Sequence, residues 1–261
     1  MPYMIGEVVS TGLMILTTIV LLAATVRLLV HANKSMTAVY FAFTMVSILL
    51  SEFYWLAYDI LRGDVRMPFA ANEFAEAAFF LLLASSLRTV FRERFPVFDR
   101  AILLTALYAV GNIVLWILWN GDWIEALLTG PAYLYFLVMA MFALRQSEAI
   151  RRSGQIVLGC AAFASLALMY LAHFIPSVSA AMDLVNYILL FGVLGAMVLG
   201  FVRALRTGRE TRILLALAYC AVVWAQNSLY MSTGWWYAAM EMLYAMTMPA
   251  MFFAVRREVI A

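Results

Sequence analysis

Residues 183–212 read DLVNYILLFGVLGAMVLGFVRALRTGRETR. From Leu184 to Val202 no side chain is charged, and then Arg203, Arg206, Arg209 and Arg212 follow in quick succession. A hydrocarbon core about 30 Å thick is crossed by about 20 apolar residues in a helix. This stretch therefore reads as one membrane crossing closed by a basic loop. The same unit recurs along the chain, and the spans fall at about 7–31, 36–61, 70–91, 101–120, 129–147, 154–175, 183–205, 211–231 and 235–255, with ends soft by a few residues.

Threading these runs alternately through a bilayer places all but Arg62 and Arg66 of the 17 Lys and Arg residues on one side. Short loops rich in Lys and Arg stay cytoplasmic. The expected fold is an all-α integral membrane protein, a polytopic bundle of about nine transmembrane helices with its N-terminus outside and its C-terminus cytoplasmic. The expected location is the plasma membrane, or the cytoplasmic membrane of a bacterium. An apolar fraction of 66% and a mean hydropathy of +0.94 lie well above the roughly 45–50% apolar content of soluble domains. Residues 1–261 read as a single transmembrane domain with no soluble domain. Catalysis or signalling would then take place in the bundle or through another protein. Met1 to Gly6 carry no positive charge, so no cleavable signal is expected.

Ionisable residues inside a span cost about 2.5–3.5 kcal/mol each at its centre, so they face protein or water. The second span sets Glu52, Trp55, Tyr58, Asp59 and Arg62 on one helical face at steps of three and four. The third opens with Asn72, Glu73 and Glu76; the seventh begins Asp183, Asn186, Tyr187. Gln226, Asn227 and Tyr230 close the eighth, and Tyr237, Glu241, Tyr244 and Met248 form a stripe on the ninth. In the threaded topology all of these lie in the outer half of the membrane. The inner halves are nearly pure Leu, Ala, Val, Phe and Met. The expectation is one pocket open to the outside above an apolar inner plug. Its ligand- or proton-binding residues would be Glu52, Tyr58, Asp59, Glu73, Glu76, Asn186, Gln226, Asn227, Tyr237 and Glu241. The plainer reading is that Asp59 and Glu73 are solvated or paired with Arg62 and Arg66, and that the deeper acids only hydrogen-bond neighbouring helices.

Other features carry bland readings. Trp116, Trp119, Trp123, Trp235 and Trp236 sit at outer ends, as interfacial anchors do. Gly192, Ala196 and Gly200 recur every fourth residue and would let a neighbouring backbone approach. Cys160 and Cys220 read as small core residues in one half of the membrane, and a disulfide is not expected. His31 and His173 are too few for a haem or multi-histidine metal centre, and Lys34, the sole lysine, lies in a loop rather than where a retinal Schiff base needs it. No metal, cofactor or catalytic residue is assigned. Glu73-x-x-Glu76 with a lone His173 does not reproduce the adjacent glutamates of glutamate-dependent intramembrane proteases. The Gly-x-Ser-Gly element of the serine type is absent as well.

Three function classes fit these residues. The leading one is a small transporter or permease-like protein that takes a cationic or polar small molecule in the acidic, aromatic-lined pocket, with proton coupling as an option. The second is a receptor-like sensor that signals through a cytoplasmic partner. The third is an intramembrane enzyme acting on a lipid or lipid-linked substrate with paired carboxylates such as Glu73 and Glu76. The expected partners are the lipid bilayer, a small polar or cationic ligand, and either a cytoplasmic protein or a second copy of the chain. A nucleic-acid partner is not expected.

Overall fold

The computed structural model describes residues 2–31, 35–61, 71–91, 99–120, 123–230, 232 and 234–260, apart from the side chains of residues 2–5, 7, 59, 61, 71, 120 and 125. The expectations placed on Lys34, Arg62, Arg66 and the side chain of Asp59 fall outside the described residues. Among those described there is no strand. The helices are α1 (Pro2–His31), α2 (Met36–Leu61), α3 (Ala71–Val90), α4 (Arg100–Asn120), α5 (Trp123–Gln146), α6 (Arg152–Phe174), α7 (Ser179–Arg206), α8 (Thr211–Tyr230) and α9 (Trp235–Ile260), with a 3₁₀ turn at Pro176–Val178.

Eight of these helices are long and apolar enough to cross a membrane. The exception is α3, which carries Glu73, Glu76 and Arg88 within its 20 residues. Its neighbours explain how it keeps those charges. It packs on α2, α5 and α8, and Phe79, Phe80, Leu83, Ala84 and Leu87 along it are buried. The chain is a multi-pass membrane protein in its makeup, and its burial pattern says the same. In α8, 89% of the span is buried, against 28% in α1, α4 and α7, although those three are the more apolar helices. In water that order would be reversed. It is the order expected when hydrocarbon is the solvent and polar side chains turn inward.

Cross-helix contacts sort the helix ends into two layers. One layer joins Thr37 of α2 to Thr89 of α3, Ser86 of α3 to Tyr219 of α8, and Asp99 to Arg145 at the end of α5. Every described arginine belongs to this basic end. The other layer joins Ser10 of α1 to Glu241 of α9, Ser51 of α2 to Glu76 of α3, and Tyr187 of α7 to Trp236 of α9. The connection between α7 and α8 is short and turns at Gly208. Gly208 adopts φ +63°, and the N–H groups of Gly208 and Arg209 return to the carbonyls of Leu205 and Ala204. That is a Schellman end, which needs a residue tolerant of the left-handed region.

The helices form two rings that share α8. One runs α1, α2, α3, α8, α9; the other runs α4, α5, α8, α7, α6. Three expectations change here. The Gly192–Gly200 stripe meets no neighbour: a Cβ added at Gly192, Gly195 or Gly200 would have nothing within 4 Å. Close approach occurs instead at Gly111 of α4, where an added Cβ would lie 2.6 Å from Leu166 of α6, and the Tyr170 hydroxyl donates to the Gly111 carbonyl at 2.8 Å. Trp116 is no simple anchor, because it packs tilted against Tyr133 and edge-on against Tyr230. Cys160 is exposed rather than core, whereas Cys220 is buried.

The α4–α6 seam yields a direct test. Gly111→Val should push Leu166 aside and weaken the Tyr170 hydrogen bond, lowering stability by about 1–3 kcal/mol as overpacking does. Gly192→Ala should leave the thermal unfolding midpoint in nanodiscs unchanged. Equal behaviour of the two variants would contradict the seam.

Candidate functional site: polar groups around α8 and a cavity at the basic end

The hydrogen bonds of the predicted site residues tie them to several different helices. Glu241 is buried between α9 and α1, where the Ser10 hydroxyl donates to Oε2 and the Thr11 hydroxyl to Oε1 at 3.1 Å. Ser10 and Thr11 are themselves buried. Two O–H donors to one carboxyl replace the water lost on burial, which is the condition for keeping such a group inside a bundle. Asn186 lies elsewhere. Its Oδ1 accepts from Ser165 at 2.6 Å and its Nδ2 meets the Met169 sulfur at 3.0 Å, tying α7 to α6.

A second acidic group involves α2, α3, α8 and α9. Glu76 accepts from the Tyr230 hydroxyl at 2.6 Å and, weakly, from Ser51 at 3.4 Å. Tyr244 of α9 lies within electrostatic reach of both Glu52 and Glu76. Tyr230 and Glu76 thus join α8 to α3 directly, with Glu52 on α2 and Tyr244 on α9 close enough to act on one another through their charge. Glu73 is fully buried one turn before Glu76. Tyr58 packs on Trp55 and Tyr54 with ring centroids 5.8 and 6.3 Å away. At this end the Tyr54 hydroxyl and both amide atoms of Asn72 are buried without a hydrogen-bond partner among the described residues. Native interiors tolerate few such atoms, and water, an ion or a ligand is the usual partner.

Asn227, one turn before Tyr230, faces the other ring. Its Oδ1 accepts from Tyr133 of α5 at 3.0 Å and its Nδ2 donates to the Tyr108 hydroxyl of α4 at 2.8 Å. Trp116 closes the gap between the two sides of α8, with ring centroids 4.8 Å from Tyr133 and 5.2 Å from Tyr230. A continuous run of contacts therefore leads from Tyr108 through Asn227, Tyr133, Trp116 and Tyr230 to Glu76. Gln226 is buried on α8 with its Oε1 unpartnered among the described residues. Tyr237 is half-buried against the core.

On the side of α4 to α8 the apolar inner half encloses a cavity. A space of about 910 Å³ opens at the basic end between α4, α5, α6, α7 and α8. Its deep end is formed by Tyr108, Phe163, Leu137, Met197 and Trp224, and its mouth by Asp99, Arg100, Arg145 and Arg152. Tyr108 lies eight residues beyond Arg100, so the cavity reaches about 12 Å into the bundle. It exists because α6 packs on α4 and α7 while the space separates it from α5 and α8. An apolar sequence does not distinguish a wall facing lipid from a wall facing a void, so the plug was the natural expectation.

At the mouth, Asp99 caps α4. The Ile102 N–H donates to its Oδ1 at 3.0 Å, and Arg145 donates to Oδ2. The Ile102 amide, then Arg145, hold this carboxyl below its ordinary value. Both partners of the ion pair are more than a third exposed, so it contributes at most about 1 kcal/mol. Among the described residues no three His, Cys, Asp or Glu side chains are grouped to hold a metal.

Sequence reasoning missed Tyr108, Tyr133, Ser10 and Thr11. Tyr108 and Tyr133 are single hydroxyls inside otherwise apolar spans, and the usable signal was Asn112 one turn from Tyr108, whose amide bonds the Tyr108 carbonyl at 2.9 Å. Asn227→Leu should strand the hydroxyls of Tyr108 and Tyr133 and destabilise the bundle by about 1–3 kcal/mol. Tyr108→Phe should cost less, because it strands only one amide hydrogen. Unfolding midpoints would check the order, and an inverse order would contradict the network. No family model matches this chain, and neither the curated proteins nor the solved structures include a match to it.

Proposed function

We propose that the chain is a small transporter or permease-like protein of the plasma membrane, with the basic end in the cytoplasm and the cavity as its inward-open substrate chamber. The Glu52–Glu76–Tyr230–Tyr244 group then carries the coupling proton or cation near the opposite face. The observation that carries this reading is the placement of Asn227 and Tyr230 one turn apart on α8, the first bonded at the chamber's closed end and the second bonded to Glu76. A rotation or shift of α8 that follows a change at Glu76 would alter the chamber through Asn227. Two sites that bias one shared element are what coupling requires. The Asn72 amide and Tyr54 hydroxyl, buried without a partner among the described residues, support this reading, since water or an ion is the usual partner of such atoms.

The sensor reading uses the same residues without net movement of ligand. Proteoliposomes loaded with a pH dye separate the two. Organic amines and carboxylates would be applied outside, and substrate-linked proton movement recorded. Glu76→Gln should reduce that movement more than tenfold while leaving the fold intact, because glutamine still accepts from Tyr230. Tyr230→Phe should slow it several-fold. Ligand-dependent stabilisation with no proton or ligand flux in the wild type would favour the sensor, and full activity of Glu76→Gln would overturn the coupling role.

A further inference from the structure

The cavity's chemistry is divided by depth. All of its charged residues are at the mouth, and the walls above them are apolar apart from Thr105, Gln155, Tyr108 and the two cysteines. A void of about 910 Å³ sits near the upper end of the range for small-molecule sites. Water is a poor occupant of the upper part, because an ordered water needs two to four polar partners. An apolar chain suits it.

The mouth selects charge. Arg145 is engaged by Asp99, and that carboxylate is also committed to the α4 N-terminus through Ile102. Among the described residues no carboxylate pairs with Arg100 or Arg152, and the remaining acid of that turn, Glu148, is exposed. Two guanidinium groups are thus offered where the cavity meets the membrane surface, and guanidinium binds carboxylate or phosphate with two parallel hydrogen bonds.

The α4–α6 side is where a lateral entrance from the bilayer would lie. Close α4–α6 contacts occur toward the middle of the helices, at Gly111 with Leu166 and Tyr170 and at Tyr108 with Phe163. Nearer the basic end, Leu104 of α4 and Ile156 of α6 both line the cavity and yet remain 51% and 60% exposed. Leu104 lies four residues, about 6 Å, inside Arg100, which is the depth of acyl chains next to their headgroups.

We propose that this cavity binds a single-chain amphiphilic anion drawn from the adjoining leaflet, its headgroup on Arg100 and Arg152 and its chain passing Leu104 and Ile156 toward Tyr108 and Trp224. As the substrate class of the chamber, this rests on the transport reading; as a binding site it stands without it.

Cys160 lines the cavity and is exposed, while Cys220 is buried, so the native thiol reports occupancy. The protein in phosphatidylcholine nanodiscs would be treated with N-ethylmaleimide in rising hexadecanoate. Cys160 labelling should slow at least fivefold and saturably. Hexadecanol and hexadecyltrimethylammonium should protect it far less. Arg100→Gln with Arg152→Gln should raise the half-protecting hexadecanoate concentration about tenfold. A Cβ at Gly159, which also lines the cavity, meets nothing within 4 Å, so Gly159→Leu should fill the space without a clash and abolish the hexadecanoate dependence. Hexadecyl phosphate protecting as well as hexadecanoate supports the shared anionic chemistry, and a lysophosphatidylcholine doing so overturns it. Absence of protection, or equal protection by the neutral or cationic amphiphile, also overturns the proposal. Protection without hexadecanoate flux in proteoliposomes would leave the site standing and defeat the transport reading.

Discussion

Hydrocarbon cannot hydrogen-bond, and the arrangement of this bundle follows from that constraint. The helices that tolerate lipid best, α1, α4 and α7, take the periphery, and α8 occupies the centre with every residue from Leu214 to Leu229 buried. Tyr219, Trp224, Gln226, Asn227 and Ser228 all lie in that stretch. Each would be costly against acyl chains, and most find partners across or along helices: Tyr219 with Ser86, Trp224 with the Leu190 carbonyl at 3.0 Å, Ser228 with the Trp224 carbonyl. The same logic keeps α3 inside. Its acids would be rejected by lipid alone, and α2, α5 and α8 shield them.

Because α8 belongs to both rings, it connects two chemically unlike regions. Toward α2, α3 and α9 it meets carboxylates and tyrosines. Toward α4, α5, α6 and α7 it borders an apolar cavity with a cationic mouth. Polar bonds at helix–helix contacts in membranes are modest, averaging about 0.6 kcal/mol and reaching about 1.7. A few of them exchanged for others is an energy that ligand binding or protonation readily supplies, which is the range in which a helix can be switched rather than locked.

Much of the architecture was readable from residue order. The all-helical makeup, the eight helices long and apolar enough to cross a membrane, and the polar character of the spans at Glu52, Glu76 and Tyr230 follow from apolar run length and helical phase. Lateral information is what residue order lacks. Depth and phase say that Glu241, Glu76, Asn227 and Asn186 share a level, but not which neighbour each faces, and the structure assigns Glu241 to α1, Glu76 to α8 and α2, Asn227 to α4 and α5, and Asn186 to α6. The cavity was invisible for a related reason. Leu104, Ile156 and Phe163 have the same chemistry whether they face acyl chains, a neighbouring helix or an enclosed space. Glycine gave a misleading cue in α7 because close approach depends on a partner being there, and the partner contact is at Gly111 instead.

The claim on which all of this rests is that α8 is held at the centre by polar bonds reaching into both rings, with Tyr230–Glu76 as the link to the acidic group. A double-mutant cycle on that pair measures it most directly, using the unfolding free energies of Tyr230→Phe, Glu76→Leu and the double variant in one bilayer composition. The account predicts a coupling of about 0.6–1.7 kcal/mol. Strict additivity of the two single changes would contradict it.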